Sequence, residues 1–121
     1  MQEIQSKTGE SVRMETLHTR INRGKIEFNS PVSYEIEHKA TGSIAAVIKF
    51  QKGLVQEEGL NGIFIEDLLL ICIDQLEHFQ NSEFKCKENE DTLRHLRDAL
   101  HSTRSRQYER SLRGVQGKYQ K

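Results

Sequence analysis

The sequence predicts an α+β fold, in which a small N-terminal antiparallel sheet is followed by a C-terminal antiparallel helical hairpin. Two observations predict it: residues 11–52 contain short β-type runs separated by turn signals, and the apolar period becomes helical after residue 63. At 121 residues the chain has the size of one ordinary domain. We therefore expect a single domain over residues 1–121, with strands in 11–52, the hairpin in 63–114 and a C-terminal tail in 115–121.

Four strands are predicted, over residues 11–17, 25–29, 32–38 and 43–51. The residues between them are typical of turns: Asn22-Arg23-Gly24, Asn29-Ser30-Pro31 and Thr41-Gly42. In the third strand Val32, Tyr34, Ile36 and His38 alternate with polar residues, which predicts one buried and one solvated face.

The first long helix is predicted over residues 65–80, because apolar residues recur there on one face over four turns. The members of this stripe are Ile65, Leu68, Leu69, Cys72, Ile73, Leu76 and Phe79. Leu70 and Ile71 fall outside it, so the back of the helix is expected to face another subunit.

A short connection over residues 81–87 leads to the second long helix, which ends at Gly114. Its inner stripe is Leu93, Leu96, Leu100 and Thr103. This 3-4-3 spacing suits an antiparallel pairing with the first helix across so short a turn.

Composition excludes several classes of protein. No apolar stretch approaches the roughly 18 to 20 residues that a membrane span needs, and the N-terminus does not have the order of a signal peptide, so we expect a soluble, intracellular protein. Cys72 and Cys86 are too few for a disulfide framework or a zinc site, and no histidine has a ligand-like spacing to either of them. We expect no metal, with Cys72 in the core and Cys86 in a loop.

The charge is unevenly distributed although it sums to zero. Residues 54–91 hold ten Asp/Glu against two Lys/Arg, and residues 94–121 hold eight Lys/Arg against two Asp/Glu. Two interpretations follow: adjacent helices of opposite sign attract each other, or the basic segment binds an anion. At 35% apolar and 30% charged, so small a chain often completes its burial against copies of itself.

Arg106, Arg110 and Arg113 recur at i, i+4 and i+7 and project from one face of the second helix. Because like charges at this spacing repel, the pattern indicates that something negative lies against them. Carboxylates in intersubunit salt bridges would serve, and so would phosphates, which arginine binds bidentately.

Phe79 ends the first helix, so in an antiparallel hairpin it lies beside the start of the second, near Asn89. If the basic end of a second chain's helix is placed there, the site has an aromatic platform, an amide and arginines, which suit a nucleotide. The alternative for Phe79 is ordinary core packing.

Catalysis has little support in the sequence. No Walker A, Rossmann GxGxxG, GxSxG or HExxH motif occurs, and the candidate bases Glu57, Glu58, Asp67 and Asp74 lack a nearby nucleophile. We therefore expect a binding protein and not an enzyme.

Several segments together resemble a known family. They are Phe50-Gln51-Lys52-Gly53, Gly59-Leu60-Asn61-Gly62, Phe79-Gln80, Phe84-Lys85-Cys86-Lys87-Glu88-Asn89, Arg110 and Arg113-Gly114-Val115-Gln116-Gly117. In these residues the chain resembles the phage Thoeris anti-defence sponge family, which shares a helical-hairpin domain with the anti-CBASS sponges. The resemblance covers residues 48 to 119.

The resemblance implies a protein that binds a cyclic ADP-ribose isomer made by bacterial TIR-domain proteins, sequesters it intact and so blocks Thoeris immunity. Sponges of this family are homo-oligomers, so we expect a dimer or a hexamer with pockets between paired subunits. Some also hold cyclic di- or trinucleotides at separate sites. No cofactor is implied, and the protein would act in the cytoplasm of the infected bacterial host.

Carried over by position, the resemblance makes Phe79 the aromatic platform, Asn89 the polar contact, and Arg106 and Arg110 the phosphate or base contacts. Arg113 and the turn after it would close the pocket. Gln116 stands where the family has an acidic residue and Lys118 where it has a small hydroxyl residue, which bears on a ribose contact and on the isomer preferred.

Two other functions stay open. The first is a small cyclic-nucleotide hydrolase, and the second is a nucleic-acid-binding phage accessory protein that uses the basic C-terminal face. The acidic segment 54–91 disfavours a nucleic-acid partner, because a long polyanion would meet those carboxylates.

Overall fold

The computed structural model describes the backbone of residues 3–5 and 11–112 and the side chains of residues 14–106. The described chain divides into two compact units. The sheet unit runs to Gly53 and includes Leu60–Ile63, and the helical unit comprises Leu54–Gly59 and the chain from Phe64 onward. The predicted α+β class, with an N-terminal antiparallel sheet before a helical hairpin, is confirmed. The division into one domain stays a prediction.

The sheet unit is entirely antiparallel in its named strands. A central sheet has the order β3-β6-β7, with β3 over Thr19–Arg23, β6 over Ser33–His38 and β7 over Ile44–Lys49. Two short ribbons accompany it: β1 (Glu3–Gln5) with β2 (Ser11–Arg13), and β4 (Ile26–Glu27) with β5 (Ser30–Pro31).

The predicted strand over 11–17 is wrong in its second half, and β3 was missed. After Arg13 the chain turns at Thr16, whose hydroxyl accepts hydrogen bonds from the backbone N–H of His18 and of Thr19. The following strand, β3, has Ile21 as its one apolar residue, so it carries no alternating pattern. Pairing with β6 holds it, with Ile21 opposite Ile36.

The predicted strand over 25–29 shortens to Ile26–Glu27, and Ser30–Pro31, predicted as a turn, forms β5. The reason is local: Phe28 and Asn29 adopt left-handed φ angles of 53° and 75°, which reverses the chain within two residues. In β6, Tyr34 and Ile36 are half-buried and Glu35 is exposed, as the alternation predicts. The prediction is wrong for His38, which is exposed at the end of the strand, and for Ser33 and Glu37, which are half-buried.

The segments Phe50–Gly53 and Gly59–Gly62 form a clasp beside the sheet. The backbone N–H of Lys52 donates to Asn61 Oδ1 at 2.7 Å, and Asn61 Nδ2 donates to the Lys52 carbonyl at 2.9 Å. Gly62 lies so close to the carbonyl of Phe50 that any Cβ would overlap it. Two of the segments that carry the family resemblance therefore have a structural explanation.

The helical unit contains three helices: α1 over Val55–Glu58, α2 over Ile65–Gln80 and α3 over Lys87–Leu112. The short α1 was not predicted, because four residues are too few to show a helical period. The bounds of α2 agree with the prediction, and Asp67 Oδ2 accepts a hydrogen bond from the Phe64 N–H at its start. No helix of the described chain is long and apolar enough to cross a membrane.

The core of the hairpin lies along one seam between α2 and α3. Ile73, Leu93 and Leu100 are buried there. Leu69, Leu76 and Leu96 pack against them, so the predicted inner stripe of α3 is confirmed in its three leucines. Thr103 is half-buried, and its hydroxyl donates to the Ala99 carbonyl.

The predicted stripe of α2 is too wide. Ile65 is 60% exposed, Phe79 is 44% exposed, and Cys72, expected in the core, is exposed. A single partner helix covers only the line through Leu69, Ile73 and Leu76, and residues at its margin stay in solvent. Cys86, expected in a loop, is exposed and directly precedes α3.

Candidate ligand-binding site

The candidate site lies where α2 ends and α3 begins. Phe79 is the penultimate residue of α2 and is 44% exposed, so its ring is available as a platform and is not core packing. Asn89, in the first turn of α3, is half-buried. Within the described side chains, its amide makes no hydrogen bond. An amide with open hydrogen-bonding capacity and an exposed aromatic ring are groups that suit a planar polar ligand.

Two side chains build the turn between these helices. The Cys86 N–H donates to Gln80 Oε1 at 3.0 Å, and Gln80 Nε2 donates to the Cys86 carbonyl at 3.0 Å and to Glu90 Oε2 at 3.3 Å. Ser82 Oγ donates to the Phe79 carbonyl at 2.6 Å and accepts from the Phe84 N–H. Phe79 directly precedes Gln80, and Asn89 directly precedes Glu90. Because Gln80 and Glu90 are hydrogen-bonded, Phe79 and Asn89 lie at the same end of the hairpin.

A cavity of about 450 Å³ opens between α2 and α3 at this end, and the sequence did not predict it. Its lining is mostly polar: Glu77, His78, Gln80, Asn81, Glu90, Leu93 and Arg97. Arg97 Nη2 lies 2.9 Å from Glu77 Oε2, which links the two helices across the cavity. Arg97 and Glu77 are twenty positions apart in the sequence. The opposite charges of the two helices were the only feature of the sequence that indicated such a pair.

Two groups near the site have displaced pKa values. The pKa of His78 is raised above its ordinary value because its Nδ1 lies 2.8 Å from the Asp74 carbonyl, and the Asp74 and Glu77 carboxylates add to this. The pKa of Asp91 is lowered because its carboxylate accepts a hydrogen bond from Lys87 at 2.8 Å and lies near Arg94. His78 is exposed on α2 and Asp91 is half-buried on α3.

The arginines do not join Phe79 and Asn89 within one chain. Arg106 is exposed in α3 and has no carboxylate partner among the described side chains. The backbone of Arg110 is helical, whereas its side chain and all of Arg113 lie outside the described residues, as do Gln116 and Lys118. At 1.5 Å rise per residue, Asn89 and Arg106 are about 25 Å apart along α3. Phe79 and Asn89 therefore need a second chain if Arg106 or Arg110 is to meet them.

Glu77, His78 and Glu90 line the cavity, but they are not grouped as metal ligands. Among the described residues, no group of three or more His, Cys, Asp or Glu side chains is close enough to hold a metal ion. Of the candidate bases, Asp67 contacts the Phe64 N–H and Asp74 contacts His78, which are structural roles in α2.

Comparison with known proteins places the chain in a family. The family described as Acb2/Tad1, hairpin domain, matches residues 43–107, from β7 through most of α3, and so includes Phe79, Asn89 and Arg106. The chain is also 34% identical to Thoeris anti-defense 1 of Bacillus phage SBSphiJ7 over 132 aligned residues, which cover 88% of this chain and 93% of that protein. The chain belongs to the Acb2/Tad1 hairpin-domain family.

Proposed function

We propose that this protein is a phage anti-defence protein that counters Thoeris immunity by binding a TIR-derived cyclic ADP-ribose isomer and withholding it intact. The relationship to a phage protein named Thoeris anti-defense 1, over most of both chains, supports the anti-Thoeris role. The observation that carries the ligand class is a pair of groups at one end of the hairpin, the exposed ring of Phe79 and the open amide of Asn89, which together are called the corner here. The two groups suit a purine, one through stacking and the other through its edge.

The pyrophosphate of such a ligand calls for cationic partners, which the corner does not contain. Arg106 and Arg110 of α3 have the fork geometry that binds phosphate, but they lie about 25 Å or more from Asn89 along the same helix. A second chain running the opposite way brings its arginines to this corner, and symmetry gives the pair two equal sites. We therefore propose a homo-oligomer, with Arg113 and the residues after it closing each site.

The exposed apolar surface of α2 supports assembly as well. Leu70 is 43% exposed and Ile71 is 60% exposed, and neither belongs to the buried seam. Burial of such side chains between subunits is favourable at about 25 cal/mol for each Å² of apolar area. The pair would be a dimer or part of a hexamer.

We propose sequestration without cleavage because the two groups assigned to the ligand are binding groups. A hydrolase needs a base or a metal to activate water, and the corner offers an aromatic ring and an amide. The proposed site of action is the cytoplasm of the infected bacterial host, because the TIR product that it withholds is made there.

The test is capture and release. A bacterial TIR-domain protein is incubated with NAD, the product is filtered from the enzyme, and the phage protein is added in excess. We expect the product to disappear from the small-molecule fraction and to return with unchanged mass and retention time after heat denaturation. Recovery of a cleaved product would support the cyclic-nucleotide hydrolase, and absence of any capture would refute the proposal.

Two additions to the same assay test whether the protein binds cyclic oligonucleotides or nucleic acids. Cyclic di- and trinucleotides added with the TIR product are expected to bind without displacing it if they occupy separate sites. Duplex DNA and single-stranded RNA are expected to leave the capture unchanged. A gel shift that weakens steeply with salt would support the nucleic-acid-binding alternative.

A further inference from the structure

Gln80 is the last residue of α2 and continues the helix face that forms the core. It lies four residues after Leu76 and seven after Ile73, so it projects from the same side of α2 as the buried seam. Its side chain is half-buried. A polar amide therefore stands at the point where the apolar seam ends.

The Gln80 amide uses its donor and its acceptor on the residue before α3. Cys86 receives one hydrogen bond and donates another, each at 3.0 Å. The same Cys86 carbonyl accepts the Glu90 N–H at 3.2 Å, at the start of α3. Gln80 Nε2 also lies 3.3 Å from Glu90 Oε2. One side chain of α2 thus holds both the entry to α3 and the first turn of that helix.

We propose that Gln80 is a positioning residue for the ligand site: by fixing the start of α3 to the end of α2, it holds Asn89 at the same end of the hairpin as Phe79. Phe79 is the residue before Gln80. Asn89 lies in the first turn of α3, three residues after Cys86. The ligand part of this inference depends on the proposed function. The positioning part concerns the protein alone.

Glutamine is the residue that this geometry requires. Leucine would pack against the seam but offers neither donor nor acceptor to Cys86. Glutamate keeps an acceptor for the Cys86 N–H but loses the donor and adds a charge beside Glu90. The two variants therefore remove the contacts to different degrees while retaining the size of the side chain.

The experiment compares Gln80→Leu and Gln80→Glu with wild type and with Gln56→Leu, the same change at an exposed glutamine of α1. Binding of the filtered TIR product is measured by calorimetry, and thermal unfolding is followed for every variant. Hydrogen exchange of the Cys86 N–H and the side-chain amide resonances of Asn89 are recorded by NMR without ligand.

We expect Gln80→Leu to stay folded, to lose protection at the Cys86 N–H, to shift the Asn89 amide resonances and to bind at least about tenfold more weakly, or about 1.4 kcal/mol. Gln80→Glu should lose less protection at Cys86 but also bind more weakly. Gln56→Leu should resemble wild type in every measurement.

Wild-type affinity in a folded Gln80→Leu variant would overturn the inference. A wild-type protein that does not bind the TIR product would overturn the proposed function instead. In that case the ligand-free NMR spectra still test whether Gln80 positions Asn89. Unchanged Asn89 resonances in Gln80→Leu would show that it does not.

Discussion

Asn61 pairs with Lys52 in both directions, since its amide accepts the Lys52 N–H at 2.7 Å and donates to the Lys52 carbonyl at 2.9 Å. A side-chain amide thus takes the place of a neighbouring strand for one residue. Asn61→Ala removes both bonds, and we expect a loss of about 1 to 3 kcal/mol in the free energy of unfolding, measured by urea denaturation. Asn61→Asp retains the acceptor only and should lose less. Equal stability of Asn61→Ala and wild type would show that water replaces the clasp at no cost.

Gly62 allows the close approach of two backbone segments. An added Cβ would overlap the Phe50 carbonyl and lie 2.7 Å from the Gln51 nitrogen, and both are backbone atoms that cannot rotate away. We expect Gly62→Ala to destabilise the protein by about 3 kcal/mol. Gly42→Ala is the control, because Gly42 has a φ of 75° but its Cβ position meets only Glu37 Oε2, at 3.8 Å, and its cost should be about 1 to 2 kcal/mol. A smaller loss for Gly62→Ala than for Gly42→Ala would contradict the clasp geometry.

Leu93 is 2% exposed and is the most deeply buried side chain of the hairpin seam. Leu93→Ala leaves a cavity between α2 and α3, and we expect a loss of about 2 to 5 kcal/mol in the free energy of unfolding. Leu17, which is 84% exposed, provides the matched substitution, and Leu17→Ala should change stability by no more than about 0.5 kcal/mol. Similar losses in the two variants would mean that the seam does not hold the fold together.

His78 should titrate above its ordinary value near 6.5. Because its pKa is raised in the folded protein, protonated His78 stabilises the fold below that value, and the contribution is lost as the pH rises through the folded pKa. Asp74→Asn removes a carboxylate but leaves the backbone carbonyl that is the larger cause, so the pKa should fall only in part. An NMR titration of the imidazole checks this. Asp98→Asn, at an exposed position of α3, should leave the value unchanged.

Complementation between variants tests the two-chain site. Arg110→Ala and Asn89→Ala should each abolish capture of the TIR product without unfolding the protein. In a symmetric pair, one chain of each kind restores one intact site, so random mixing after unfolding and refolding should recover about a quarter of the wild-type capacity. No recovery from the mixture would place the two residues in the same chain's site or in none.

Periodicity explains which elements the sequence could predict. The bounds of α2 and the three inner leucines of α3 follow from apolar residues at helical spacing. Strand β3 has one apolar residue among Thr, Arg and Asn, and α1 has four residues, so neither carries a period. The exposure of Cys72 was missed because a stripe shows which residues share a face, but not how much of that face the partner covers.

The candidate site also contains features that the sequence could predict and features that it could not. Phe79 and Asn89 could be placed at one end of the hairpin, because a short turn between antiparallel helices requires it. The Gln80–Cys86 pair could not be foreseen, since it depends on how the turn itself folds. The Arg97–Glu77 pair depends on the rotation of α3 about its own axis, which the sequence leaves undetermined.

The length of α3 affects how the number of functional sites depends on protein concentration. In the proposed site, the ring and the amide lie at the start of α3 and Arg106 lies about 25 Å along it, so a single chain has two half-sites and no complete one. On the proposed function, functional sites below the dimer dissociation constant then increase with the square of protein concentration. A phage that relies on such a protein would gain little from the first few copies translated and much from the later ones.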